Sequence, residues 1–214
     1  MIHNLQLQHH LLNPACECFL CEPGQRVHDG AIFDGQSTAQ LNSNLTETDL
    51  PPLLVAAIRD VYLPSGLQLT EAPQREAESA DYGAVRLGLN GQRVVFRIAK
   101  ITPIKIGQFV TLWKRPCVGT PVPLDGNDGI AFVVISVSDA GHHGQFIFSR
   151  EILLAKGVMS VGGVGGKCAM RVYPPWSQPV AKQAIKTQQW QARYFVALEH
   201  VTEGQQIRTL FMNP

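Results

Sequence analysis

Nowhere does this 214-residue chain approach the roughly 20 consecutive apolar residues that cross a bilayer; its longest run, around Ile130–Val137, has the length of a strand. No Lys or Arg precedes Arg26, and the Leu/Gln mixture before it is not a signal-peptide core. A cytoplasmic protein with no membrane segment is therefore expected. Two common catalytic signatures are missing as well. There is no G-x-S-x-G elbow and no H-E-x-x-H pair, so the sequence offers no nucleophile-elbow hydrolase or zincin chemistry. Asp and Glu are absent from Ala84–Lys100, and no internal repeat is visible.

Cysteine is sparse and odd in number. Of five, Cys117 and Cys168 stand alone among apolar neighbours, which suits reduced thiols better than a disulfide framework. Cys16, Cys18 and Cys21 form C-x-C-x2-C with His28 close by, and three thiolates plus an imidazole would suit tetrahedral zinc. The second half of a zinc-finger spacing is missing, so zinc is not expected there and a reduced tail is the simpler reading.

Apolar residues make up 45% of the chain, enough for a folded core. The net charge of +1 hides a division: residues 1–70 carry −5 and residues 71–198 carry +7. A basic body calls for an anionic partner, such as DNA, RNA or a nucleotide. The bland alternative is an excess spread evenly over a solvated surface. No oligomeric state is implied.

Residues 1–46 read as a largely irregular extension, 47–200 as the folded domain and 201–214 as a tail. Asp49 can cap a helix entered through Pro51-Pro52 that buries Leu53, Leu54, Ala57, Ile58 and Val61 and stops near Tyr62. Ala72–Tyr82 reads as a short helical or turn segment. Ala84–Leu89 and Arg93–Lys100 flank Asn90-Gly91, a two-residue hairpin signal. Gly107–Lys114 is a strand and Pro116–Gly129 a loop. Ile130–Val137 is apolar on both faces and should be a central strand covered by helices. Gly144–Phe148 is a strand, with His142-His143 in the turn before it. Ser149 caps a helix over Arg150–Lys156, Gly157–Gly166 is a loop, and Lys167–Tyr173 is a strand. A last helix should run from Val180 to Leu198. Strands bracketed by helices make an α/β (α+β) domain.

In Arg93–Lys100, alternation places Val94, Phe96, Ile98 and Lys100 on one face, with Arg93 and Arg97 on the other. Lys100 is thus a candidate cleft lysine, or else a snorkelling lysine at a strand end. On the last helix, Ala181, Ile185, Ala192 and Phe195 form the expected core stripe. Lys182, Lys186, Gln189 and Arg193 form a cationic stripe flanked by Gln188, Trp190 and Tyr194, a face suited to phosphate and base contacts. The run Gly162–Lys167 is not a phosphate loop, because Val161 and Cys168 stand where Gly and Ser/Thr are required. It can still bring Lys167 and Arg171 near a ligand.

From Glu78 onward the chain resembles the MepB family of small bacterial proteins. The stretches that carry the resemblance are Glu78-Ser-Ala-Asp-Tyr82, Phe96-Arg-Ile-Ala-Lys-Ile-Thr-Pro103 and Gly107-Gln-Phe-Val-Thr-Leu-Trp113. Gly144-Gln-Phe-Ile-Phe148, Lys167-Cys-Ala-Met-Arg-Val-Tyr-Pro174 and Lys186-Thr-Gln-Gln-Trp190 through Tyr194-Phe195 complete it. The resemblance spans roughly residues 50–198. It implies a restriction-endonuclease-like fold, a mixed central β-sheet with helices on both sides, and in some bacteria a link to a multidrug-efflux operon. Nucleases of that fold hold magnesium with an Asp on one strand and an acidic residue two positions before a lysine on the next. Lys100 fits the lysine, but Ile98 stands where the acid belongs. The expected function is therefore binding of nucleic acid or a nucleotide-like anion through Arg97, Lys100, Lys105, Lys167, Arg171, Lys186, Trp190 and Tyr194. One alternative is a divergent phosphohydrolase or nuclease using Glu78, Asp81 and Lys100 with Mg or Mn. The other is an efflux- or stress-associated protein-interaction module.

Overall fold

The computed structural model describes residues 49–116, 119–198 and 204–212. The cysteine cluster with His28, and Cys117, lie outside them. The frame is a six-stranded mixed sheet built from β1 (Leu69–Arg75), β2 (Val85–Leu89), β3 (Gln92–Ile98), β8 (Phe132–Asp139), β9 (His142–Ser149) and β11 (Phe195–Ala197), in the order β1-β2-β3-β8-β9-β11. Within it only β3 and β8 pair in parallel. The β2–β3 hairpin closes at Asn90-Gly91, with φ of 50° and 75°, the left-handed pair that a tight hairpin turn demands.

Alternation along these strands sorts the core into two layers. On one face, Val85, Leu87, Leu89, Val94, Phe96, Phe132, Val134 and Ile147 are buried under two helical elements. The first is α1 (Pro52–Ala57), which widens into a π-helical turn over Ile58–Tyr62 and buries Leu54, Ala57, Ile58 and Tyr62. The C-terminal helix Gly204–Met212 supplies Ile207 and Phe211; Phe211 meets Tyr62 and Phe132 edge-on at 5.8 and 5.1 Å. Each such side chain contributes roughly 1.5–3 kcal/mol by leaving water.

The other face holds Val95, Val133, Ile135, Val137, Phe146 and Phe148. Trp190 and Tyr194 pack on Phe148 from the helical segment near the C-terminal end of the domain. The cover of this face is part helix and part sheet, so the helices expected over Ile130–Val137 share it with strands. It combines the short helix α2 (Arg150–Ala155) with a three-stranded sheet of β4 (Lys100–Ile101), β5 (Gln108–Thr111) and β10 (Ala169–Val172), ordered β10-β5-β4. A two-stranded ribbon pairs β6 (Trp113–Lys114), at the end of the strand expected over Gly107–Lys114, with β7 (Val122–Pro123), which lies within the loop expected over Pro116–Gly129. Helix α2 is capped as expected, Ser149 Oγ accepting from the Ile152 amide at 3.5 Å.

Four local expectations need correction. Asp49 does not cap α1; Pro51 holds that position, and the Asp49 carbonyl accepts from Arg75 instead. Ala72–Tyr82 is a turn segment only in its second half: its first four residues belong to the strand Leu69–Arg75, which adds to the β2 edge through an irregular register, and the turn that follows ends in the 3-10 helix Ala80–Tyr82. His142 and His143 lie on β9, the turn being Ala140-Gly141, where both residues have positive φ. The last helix of the sequence reading stops early: α3 spans Lys182–Gln191, a 3-10 turn covers Ala192–Tyr194, and Phe195–Ala197 is an edge strand on β9. Gly144 permits this, since a Cβ there would collide with the Phe195 ring. No helix of the described residues is long and apolar enough to cross a membrane.

Candidate anion-binding groove

Helix α3 does not bury the stripe that its apolar spacing suggests. Ala181, Ile185 and Ala192 are exposed, Phe195 packs on Phe146 from the edge strand, and the inward face combines amides with the Trp190 indole. Gln191, fully buried, donates from Nε2 to the Arg171 carbonyl and accepts from the Tyr173 amide, both at 2.9 Å. Gln188 Nε2 donates to the carbonyls of Pro174 and Ser177 at 3.0 and 2.8 Å. The helix is thus stitched by hydrogen bonds to the end of β10 and the segment after it. Buried amides must be paired, and here the helix and strand satisfy each other.

Between α3 and β10 this leaves an open groove of about 500 Å³, with Lys156, Lys167, Met170, Tyr173, Lys186 and Trp190 among its walls. Among the described residues, no Asp or Glu lines it. The three lysines are exposed and make no ion pair among the described residues. Trp190 is half-buried: its indole packs on Phe148 at 5.3 Å, and Lys156 Nζ lies 5.5 Å from its ring centre. Tyr194 stands behind it, 5.8 Å from Phe148 and 6.4 Å from Trp190. Uncompensated ammonium groups beside an aromatic plane suit phosphate oxygens with an attached flat ring.

Of the residues expected to bind, Lys167, Arg171, Lys186 and Trp190 line this groove, drawn together from a loop, a strand and a helix. Tyr194 supports Trp190 and is not among the lining residues. Arg171 differs from the lysines in what its guanidinium does. Nη1 donates to the carbonyls of Lys105 and Gly107 at 3.3 and 3.0 Å, and Nη2 to Thr102 Oγ1 at 2.8 Å. It therefore positions the loop after β4, the same loop that carries Lys105. Lys156, Tyr173 and Gln183 were missed by sequence reasoning. Lys156 ends α2, and nothing in its local pattern marks it as a neighbour of α3.

Arg97 and Lys100 do not join the groove. Arg97 is 1% exposed; its Nη2 pairs with Glu76 Oε2 at 2.5 Å, and Nη1 donates to the Phe96 carbonyl at 2.9 Å. Arg86 pairs with the same Glu76. Burial pulls the Arg97 guanidinium below its ordinary pKa, and the Glu76 carboxylate pushes it back. The alternation that set Arg97 opposite Val94 and Phe96 is correct, but that face is buried, so its charge cannot meet a ligand from solvent. Lys100 does not continue that face: the chain steps through buried Ala99 onto β4, and Lys100 Nζ rests 4.7 Å above the Tyr82 ring.

Three carboxylates have cationic neighbours. Glu76 sits between two guanidiniums, Glu78 is 4.0 Å from Arg115, and Asp128 pairs with Lys114. Among the described residues, no group of three or more His, Cys, Asp or Glu side chains is placed to hold a metal ion.

Asp125 organises the glycine loop that leads to Lys167. Its buried carboxylate accepts from Ser160 Oγ at 2.7 Å and from the amides of Gly163 and Asn127 at 2.8 and 2.9 Å. Those bonds, Ser160's foremost, hold its carboxyl at about 2, below the ordinary 3.8. A depressed carboxyl stabilises the fold above the unfolded-state pKa and ceases to do so once protonated. The urea midpoint should therefore be flat above about pH 4 and fall between about pH 4 and 2. Asp125→Asn should lower the midpoint at neutral pH and shrink that acid-side decline; an unchanged decline would show that Asp125 is not its source.

A family model described as MepB-like matches residues 76–197. A solved structure, the crystal structure of MepB, superposes with a TM-score of 0.60 at 31% identity, covering 69% of this chain and 96% of the other. Among curated proteins, no significant match was found.

Proposed function

The chain belongs to the MepB-like family, and from that premise we propose that it is a binding protein for nucleic acid or a nucleotide-like anion, held in the groove between α3 and β10. The observation that carries this reading is the convergence of Lys156, Lys167 and Lys186 around Trp190 with no carboxylate among the described lining residues. Three unpaired ammonium groups in one concavity repel one another, and a polyanion relieves that repulsion while releasing its condensed counterions. Trp190 offers a face on which a base can stack, contributing roughly 1–3 kcal/mol.

The mixed sheet with its helical cover is in keeping with a restriction-endonuclease-like scaffold. On such a scaffold the carboxylates for metal would lie on adjoining strands. Here β2 and β3 instead turn Arg86 and Arg97 toward Glu76. We read this as a scaffold used for binding, its charge cluster converted to a structural one.

Fluorescence anisotropy of labelled single- and double-stranded oligonucleotides across a salt series tests the reading. Binding should weaken with salt along a log–log slope near −3, about one unit per groove lysine. A gel run in parallel with Mg2+ or Mn2+ should show intact oligonucleotide. Salt-independent or absent binding would return the lysines to the solvent, and metal-dependent cleavage would favour the enzymatic alternative.

A further inference from the structure

Between Tyr82 and Leu124 the chain contains no Asp or Glu, and the middle of that stretch is a loop that presents isoleucine to water. Ile104 is 93% exposed, Ile101 59% and Ile106 46%. Single exposed apolar side chains are ordinary; three within six residues, flanked by Lys100 and Lys105, form a patch. The loop is also held firmly. Arg171 donates to two of its carbonyls and to Thr102 Oγ1, and Gly107 turns at φ +81° with so little space that a Cβ would lie 2.7 Å from the Tyr173 ring. Arg171 and Tyr173 both line the lysine groove. Loop and groove therefore share a wall.

We propose that this loop is a wedge for double-stranded DNA: Ile104 enters between two base pairs while the groove lysines hold the phosphate backbone. The inference rests on the groove reading and narrows its partner to a duplex. An apolar side chain inserted at a base step must overcome base stacking, which requires a tip that does not give way. Arg171 supplies that stiffness at the loop's base, and Lys100 and Lys105 supply charge on either side of the tip. A lipid surface fits less well. Three partly exposed isoleucines bury less hydrocarbon than one acyl chain, itself a marginal anchor, and membrane insertion has no need of a stiffened tip.

The test uses the full chain and 25-base-pair duplexes carrying 2-aminopurine at TA or CA steps, with a donor and acceptor dye at the ends. Those steps unstack most easily. Binding should raise 2-aminopurine emission severalfold and increase end-to-end energy transfer. Ile104→Ala, at a position almost entirely in solvent, should keep its melting temperature and bind within about tenfold of the parent, yet lose both signals. Duplex binding with no unstacking, or an Ile104→Ala protein that unstacks like the parent, would overturn the wedge and leave the groove reading standing. Co-sedimentation with phosphatidylserine vesicles that Ile104→Ala abolishes would overturn it in favour of a lipid surface. No anisotropy change with any oligonucleotide would overturn the groove reading, and the wedge with it.

Discussion

Replacing Lys167 and Lys186 together by glutamate should reduce oligonucleotide affinity at low salt by on the order of 100-fold or more, and should flatten the salt dependence by about two units of slope. Each lysine is exposed, lines the groove and has no carboxylate partner among the described residues, so its charge is available to a phosphate. A charge-assisted hydrogen bond is worth roughly 1.5–3 kcal/mol, and reversal adds repulsion to that loss. The informative control is Lys182→Glu. Lys182 lies on the same helix as Lys186 and is also exposed but does not line the groove. Its reversal should change affinity by less than about threefold. If Lys182→Glu weakens binding as much as either groove lysine does, net charge governs binding and the groove does not. Both groove positions are on the surface, so unchanged thermal melting of the double variant separates lost binding from lost fold.

The largest effect on stability should come from Glu76→Ala. That change leaves the Arg97 guanidinium buried at 1% exposure without its carboxylate, and removing one partner of a buried pair costs roughly 3–5 kcal/mol. In a protein of this size the melting temperature should fall by roughly 6–20 °C. Arg86, being 39% exposed at its side chain, can turn to water and should suffer less. Replacing both buried partners, Glu76→Leu with Arg97→Met, should recover most of the loss, because it removes the unpaired charge along with the pair. Urea denaturation of Glu76→Ala and of the double variant decides the matter. A Glu76→Ala cost below about 1 kcal/mol would mean that Arg97 reaches solvent in the native state. Oligonucleotide affinity should be unaffected in the double variant, since the pair does not line the groove.

Local chemistry made some of this legible in the sequence. Asn90-Gly91 demanded a hairpin because few residue pairs tolerate two consecutive positive φ angles, and β2 and β3 meet there. The apolar run at Ile130–Val137, interrupted only by Ser136, read as a strand buried on both faces, and β8 is that strand. Ser149 ahead of Arg150 and Glu151 marked a helix start. These signals lie within a few residues and depend on no distant partner. The cationic residues of the groove were legible as types: Lys167, Arg171, Lys186 and Trp190 drew notice because basic and aromatic side chains recur near one another in the chain.

What each charge does was decided by tertiary structure alone. Arg97 and Lys167 are both basic residues in strand-like or loop-like sequence, yet one faces Glu76 in the core and the other open water. Nothing local distinguishes them, because the carboxylate that claims Arg97 comes from a segment about twenty residues upstream. Arg171 was separated from the lysines in the same way, by loop carbonyls more than sixty residues earlier in the chain. The inward face of α3 was invisible to hydrophobic periodicity, since Gln188 and Gln191 bury themselves by bonding to backbone of another element. The sequence by itself determined the sheet's central strands, the hairpin and the basic character of the domain, for those follow from backbone sterics and composition. Which cations remain free to meet an anion depended on pairings between segments far apart in the chain, and a hydrogen bond or ion pair of that kind exists only once the fold has brought its two halves within about 3 Å.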